Sequence, residues 1–217
     1  MPPKTKFCDQ DIIGAAFQVL RKSGWGSVSA RTIASELNAS TTPIYTYLKS
    51  MKNLEDILLK ETITLMEKYT QVETSSNPLV NIGTGVVLFA RQEKELYKFI
   101  NREQFMPFRF DSGILILESG FETVMKYPLF KNLSTRQIRQ FLFTSWIFIH
   151  GLADLINKSF DAYIKKLTNE TEIAEYLAEA FNSIWNGMKF IKPDEEFPAI
   201  PEAVKTEKRV FQEKETE

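Results

Sequence analysis

The sequence predicts an all-α protein with a small N-terminal domain followed by a larger helical domain. Apolar residues recur at the three- and four-residue spacing of helix faces along most of the chain, and helix-capping residues precede these segments. The sequence shows no sustained alternation of apolar and polar residues, the pattern typical of strands. With 217 residues, 43% of them hydrophobic, the chain can build two cores. We expect a head over residues 1–50, a body over residues 51–192 and a tail over residues 193–217.

Three short helices are predicted in the head. The apolar face of the first helix consists of Ile12, Ile13, Ala16, Phe17 and Leu20. Ser29 is a suitable N-cap for the second helix because its hydroxyl can accept a bond from a free amide. Asn38 follows that helix where the chain must turn, and asparagine tolerates the left-handed conformation better than most residues. Ser40 or Thr41 caps the third helix, and Pro43 lies in its first turn, where a missing N–H costs little.

Short helices with a tight turn between the second and the third are typical of a helix-turn-helix. In that motif the second helix supports the third, whose first residues enter the major groove of DNA. The charge distribution agrees with such a role. Residues 1–54 carry a net charge of +4 although the whole chain carries −1, so a basic head precedes an acidic body.

The body should consist of longer helices, because capping residues precede extended apolar patterns. The predicted helical segments are 50–69, 78–92, 94–104, 111–126, 134–158 and 169–190. Asn77 caps one of them, and capping boxes at Ser134 and Asn169 open two others. After Pro193 the chain is acidic and rich in proline, which predicts a solvated, poorly ordered tail.

The composition argues against several other classes of protein. Cys8 is the only cysteine and His150 the only histidine, so we expect no disulfide, no metal site and no nucleophile–base pair. A glycine-rich phosphate loop is also missing, and we therefore predict that the protein is not an enzyme and has no cofactor. The sequence has neither a signal peptide nor an apolar run long enough to span a membrane, which predicts a cytoplasmic protein with no membrane partner.

The segment from Ile12 to Leu59 resembles the TetR family of bacterial transcriptional regulators. The match is ordered and ungapped, and it rests on Val28, Ser29, Arg31, Ile33, Ala34, Leu37, Tyr45, Leu48, Lys49 and Leu54. Two residues depart from the family pattern. Asn38 replaces a glycine in the turn, and Met51 replaces a lysine that helps to bind phosphate. Either Lys49 or Lys52 substitutes for that lysine, or the affinity for DNA is lower.

This resemblance implies a homodimer that binds palindromic double-stranded operator DNA through the head. The residues expected to contact DNA are Ser29, Arg31, Thr41, Thr42, Pro43, Tyr45, Tyr47 and Lys49. Arginine can bind a phosphate or a guanine, and threonine and proline can contact thymine methyl groups. Tyr45, Tyr47 and Lys49 would bind phosphates and set the register. The alternatives are that Thr42 only caps a helix, that Tyr47 is a core residue and that Lys49 is a solvated surface charge.

A dimer face is expected on the two long C-terminal helices, which would form a four-helix bundle with those of a partner. The predicted interface residues are Ile138, Leu142, Ile149, Leu152, Ile156, Ile173, Leu177, Phe181, Ile184 and Met188. The alternative is that both helices bury these side chains only within their own subunit. His150 lies on the same helix and is expected to be a packed residue rather than a catalytic one.

A pocket for an apolar or aromatic small-molecule effector is expected between the helices of residues 55–150. The candidate lining residues are Met66, Phe89, Phe99, Phe105, Phe110, Phe121, Met125 and Trp146. Glu103, Glu118 or Glu122 could neutralise a cationic effector. The alternative is that the aromatic residues are ordinary core.

The expected function is that of a ligand-responsive repressor released from DNA by its effector. The sequence does not separate a repressor from an activator. A rival hypothesis is a helical protein-binding module that keeps the fold but has lost sequence-specific DNA binding.

Overall fold

The computed structural model describes residues 7–47, 50–105, 130, 133–158, 166–188 and 190. Within these residues every regular element is helical, and the prediction of an all-α fold is confirmed. The helices are α1 (Asp9–Ser23), α2 (Ala30–Glu36), α3 (Thr42–Tyr47), α4 (Met51–Tyr69), α5 (Pro78–Gln92), α6 (Lys94–Ile100), α7 (Thr135–Asn157) and α8 (Glu170–Met188). Short 3₁₀ turns cover Trp25–Ser27 and Glu103–Phe105. The predicted helix over 111–126 and the tail over 193–217 lie outside the described residues.

Helices α1 to α3 are held together by small and branched apolar side chains. Each of the three helices contributes at least one fully buried side chain to a shared core. These side chains are Ala16 and Leu20 of α1, Ile33 of α2 and Ile44 of α3. α4 packs against α1 and continues into the body. The three helices of the head therefore have a fixed arrangement despite their short length, since tertiary packing supplies the stability that such helices lack alone.

The turn between α2 and α3 is a Schellman motif centred on Asn38. Its φ of 52° is the only positive φ of a non-glycine residue in the described part of the chain. The Asn38 amide donates to the Ser35 carbonyl at 3.1 Å, and the Ala39 amide donates to the Ala34 carbonyl at 2.8 Å. The asparagine that replaces glycine thus adopts the left-handed conformation that the turn requires.

Helix α5 lies at the centre of the body. Every residue from Gly83 to Ala90 is buried, because α4, α6, α7 and α8 all pack around this helix. Two glycines permit the close approach. A Cβ on Gly83 would lie 3.0 Å from Leu177 and 3.1 Å from Ile149. A Cβ on Gly85 would overlap the backbone of Tyr69, where the end of α4 crosses α5.

The helix ends follow the local capping chemistry. Ser50 accepts a bond from the Asn53 amide at 3.0 Å, and Asn77 accepts one from Leu79 at 3.0 Å. The predicted segment 94–104 is shorter in the structure, because α6 ends at Ile100 and a separate 3₁₀ turn follows. In the described part of the chain, no helix is long and apolar enough to cross a membrane.

Candidate nucleic-acid interface

The start of α2 is fixed by a reciprocal cap between Ser29 and Thr32. The Ser29 hydroxyl accepts a hydrogen bond from the Thr32 amide at 3.2 Å, and the Ser29 amide donates to Thr32 Oγ1 at 2.9 Å. Threonine takes the place that glutamate or glutamine has in the common capping box. The Ser29 hydroxyl is therefore already used by the cap and is only half-exposed.

Arg31 is exposed in the first turn of α2. Within the residues that the structure describes, its guanidinium makes no ion pair or hydrogen bond. A cation at this end of a helix lies beside the positive end of the helix dipole, which is unfavourable for folding. The same arrangement attracts an anion, because the cation and the dipole add.

Helix α3 has an inward and an outward face. Ile44 is fully buried, whereas Tyr45 is 70% exposed and Thr42 is also exposed. The hydroxyls of Thr41 and Thr42 form no hydrogen bond with any described residue, although the Thr42 carbonyl accepts one from Thr46 at 3.0 Å. The outward face thus presents one phenol and the Thr42 hydroxyl, and the half-exposed Thr41 lies just before the helix.

Tyr47 is placed differently from Tyr45. It is half-buried and packs against the core. Burial, followed by the negative charge of Asp9, raises the pKa of the Tyr47 phenol. Its placement agrees more closely with the core alternative than with a freely exposed phosphate ligand. Lys49 and the side chain of Pro43 lie outside the described residues.

The beginning of α4 adjoins this region. Met51 is 41% exposed at the first position of the helix. The Lys52 ammonium group lies 3.3 Å from Asp56 and 3.6 Å from Glu55. Lys52 is one of the two residues predicted to take the role of the phosphate-binding lysine that Met51 replaces. The Lys52 side chain is largely exposed, so these ion pairs are weak and leave the ammonium group accessible.

Comparisons with known proteins support the fold. No family model and no curated protein matches the chain. A solved structure described as a transcriptional regulator from Rhodococcus sp. Rha1 is similar, with a TM-score of 0.53 and 14% sequence identity, over 86% of this chain and 100% of that chain. The two chains share a fold. At this sequence identity, the similarity shows only that the helices of the two proteins are arranged alike.

The residues predicted for a dimer face lie mostly in the core of the single chain. Nine of the ten are buried: Ile138, Leu142, Ile149, Leu152, Ile156, Ile173, Leu177, Phe181 and Met188. α5 packs against both α7 and α8, and these two helices also pack against each other. These side chains have almost no surface left for a second copy, and only Ile184 of the set is half-exposed.

A different face of α7 exposes apolar side chains. Phe143, Ile147 and Leu155 are 38%, 50% and 41% exposed. Trp146 stacks on Phe143, with ring centroids 6.3 Å apart, and contacts His150 at 4.6 Å. His150 is therefore a packed side chain beside an indole. Helical periodicity identifies the apolar stripes of a helix but does not indicate which stripe faces the chain's own core.

The described residues predicted for an effector pocket do not form one group of contacting rings. Phe89 packs edge-on against Tyr69, whereas Phe99 packs against Phe105 beneath the head. Trp146 is half-buried on α7 beside His150. Met66 is half-buried on α4. Phe110, Phe121 and Met125 lie outside the described residues.

One contact between head and body combines charge with aromatic rings. The Arg102 guanidinium pairs with buried Glu55 and lies 5.6 Å from the ring centre of Trp25. It also lies 5.8 Å from Phe99 and 5.5 Å from Phe105. These distances are within the range of cation–π attraction.

A second contact joins α1 to the end of α5. Arg21 Nε donates to Glu93 at 2.6 Å, and Nη2 donates to the other carboxylate oxygen. The Tyr69 hydroxyl donates to the same carboxylate at 3.1 Å. Burial, and then the charge of Glu93, raises the pKa of Tyr69. No local sequence signal indicates either contact, since the partners are 72 and 47 residues apart.

Proposed function

We propose that the chain is a transcriptional regulator of the TetR type that binds palindromic double-stranded DNA as a homodimer. The observation that carries the proposal is the outer surface of the helix-turn-helix. Arg31, Thr42 and Tyr45 are all exposed there, and among the described residues none of these side chains has a partner. The supporting side chains beneath them are fully buried, so the surface is held in one geometry.

This surface has the chemistry that DNA requires. A cation next to a helix N-terminus suits a phosphate or a guanine edge, and threonine suits a base edge or a thymine methyl group. An exposed tyrosine suits the sugar–phosphate backbone. The Schellman turn at Asn38 orients α3 relative to α2, as a recognition helix must be oriented by its supporting helix.

A homodimer is proposed because one short recognition helix reads few base pairs, and two copies read two half-sites. The face of α7 that carries Phe143, Ile147 and Leu155 is the favoured interface, since the side chains first predicted for that role are already buried. Several large exposed apolar side chains on one helix are typical of an interaction site. Half-sites would then be separated by about one turn of DNA, roughly 34–36 Å.

We further propose that the protein is a repressor released by a small effector with an apolar or aromatic body. The support lies on α5 and α7. Thr84 and Ser145 are buried, and their hydroxyls have no hydrogen-bond partner in the described part of the chain. Unpaired buried hydroxyls are costly and call for a partner. An effector with one hydrogen-bonding group among apolar atoms would supply it in a state that opens the packing of α5 against α7.

The experiment is selection of bound duplexes from random-sequence DNA at moderate salt, followed by sequencing. The native chain is compared with Arg31→Ala/Tyr45→Ala and with the control Lys166→Ala/Phe190→Ala, which removes one cation and one exposed aromatic residue from the body. We expect a palindrome to be enriched by the native chain and by the control, and not by the head variant. A folded native sample that enriches no sequence would overturn the proposal and favour the protein-binding hypothesis.

A further inference from the structure

The junction between α5 and α6 is bound by side chains from several other elements. Glu93 forms the break between the two helices, with φ −111° and ψ 54°, and only 4% of its surface is exposed. Its carboxylate binds Arg21 of α1 and the hydroxyl of Tyr69 of α4. The junction is therefore tied to the head on one side.

The opposite side of the same junction is tied to α7 and to the segment before α8. Asn157, the last residue of α7, is buried, and its amide donates to the Ala90 carbonyl at 2.9 Å and to the Lys94 carbonyl at 3.1 Å. Arg91 donates to the Leu167 carbonyl. Carbonyls at the end of a helix have no partner within that helix, so Asn157 satisfies the Ala90 carbonyl that α5 itself leaves open and also binds the first residue of α6.

These bonds leave little freedom for independent movement. A displacement of the end of α7 must either break the two bonds from Asn157, one of them buried, or carry the α5–α6 junction with it. A displaced junction must in turn either break the buried Glu93 pair or carry α1 with it. Leaving buried polar groups unpaired is costly, so concerted movement is the lower-energy outcome at both steps.

We propose that the α5–α6 junction couples the packing of α7 to the position of the head, with Glu93 as the positioning residue. The proposal rests on the proposed function for what the head binds and for what α7 contacts. The coupling itself is a property of the folded chain and is measurable without DNA. It runs separately from the contact of Arg102 with Glu55 and Trp25, which also joins the body to the head.

The test is hydrogen–deuterium exchange of the full chain, read by mass spectrometry over residues 9–47. Asn157→Ala removes both bonds on the α7 side and lies far along the chain from the head. We expect it to raise exchange in α1 to α3 by about fivefold or more, the lower range for coupling between protein sites. If this variant does not fold, Arg91→Gln provides the second perturbation on the same side of the junction.

The decisive comparison is a double-mutant cycle with Glu93→Gln, which keeps the shape of the side chain and removes its charge. In the Glu93→Gln background, Asn157→Ala should give a smaller further increase in head exchange, because the charged pair that ties the junction to α1 is lost. Lys22→Gln is the matched control: Lys22 also lies on α1 but pairs with Glu36 inside the head. In that background the effect of Asn157→Ala should be retained.

Two results would overturn the proposal. One is an equal increase in head exchange with and without the Glu93 charge, which would indicate general loosening rather than coupling. The other is a loosened α7 with unchanged exchange in the head. Neither result depends on DNA. Failure of the native chain to select a duplex would overturn the proposed function and leave the coupling intact.

Discussion

Replacing Arg102 with methionine should destabilise the fold by about 2–3 kcal/mol. The guanidinium pairs with the buried Glu55 carboxylate and lies within 6 Å of the ring centres of Trp25, Phe99 and Phe105. Methionine keeps much of the length of the side chain and its packing on the rings. The substitution therefore removes the charge with little change in volume.

The magnitude follows from the burial of the two partners. Breaking a buried ion pair by removing one member costs about 3–5 kcal/mol, because the remaining charge is left buried. Here the side chain of Arg102 is 32% exposed, which lowers that cost. Gln104 still donates to Glu55 at 2.8 Å, and the Lys52 ammonium group remains 3.6 Å away, so both stabilise the carboxylate and lower the cost further. The lost cation–π attraction adds about 0.5–1 kcal/mol.

The assay is urea denaturation followed by circular dichroism, with the free energy of unfolding extrapolated to water. Lys98→Met is the matched control, since Lys98 belongs to an exposed pair with Glu95 on the same segment. That control should cost less than about 0.5 kcal/mol. Glu55→Gln/Arg102→Met should cost less than the sum of its two single variants, because neither charge is then left alone. A loss from Arg102→Met no larger than that of the control would refute the reasoning.

Three further outcomes are expected. Gly85→Ala should lower the free energy of unfolding, measured by urea denaturation, by about 3 kcal/mol, because its Cβ overlaps the backbone of α4. Gly14→Ala should raise it by about 1 kcal/mol, because a Cβ on Gly14 meets open space. Equal effects of the two substitutions would contradict the close crossing of α4 and α5. Ile147→Asp should leave the circular dichroism spectrum unchanged and shift a dimer towards monomer in analytical ultracentrifugation, and an unchanged mass would contradict the proposed interface. The backbone hydrogen bond and then the hydroxyl bond from Thr168 lower the pKa of Glu172. The stability that this cap gives to α8 is therefore present above the ordinary pKa of the carboxyl group and is lost as the pH falls through the lowered pKa. A Glu172 carboxyl resonance that titrates at the ordinary pKa would contradict this prediction.

Local chemistry explains why several helix boundaries could be predicted from sequence. Ser134 and Gln137 form the predicted capping box, with the Ser134 amide 3.0 Å from the glutamine side chain. Asn38 adopts the predicted left-handed conformation. Such features depend on residues three or four positions apart, and a single sequence contains all of that information.

The partners of each helix could not be predicted in the same way. The apolar stripe containing Ile138 and Leu177 indicates burial, but periodicity does not say whether α5 or a second chain covers it. The exposed placement of Arg31 and Tyr45 is compatible with their predicted roles, and those roles stay predictions. The pair of Arg21 with Glu93 depends on how α1 meets the body, and no local pattern carries that information.

The three tryptophans lie in three different parts of the molecule. Trp25 lies beneath Arg102 between head and body, Trp146 lies on the exposed face of α7, and Trp185 packs edge-on against Phe130 in the body at 5.3 Å. Variants that retain one indole each would provide intrinsic optical reporters for head displacement, for the proposed subunit assembly and for loosening of the body. Stopped-flow fluorescence could then establish the order of these three events in a label-free sample.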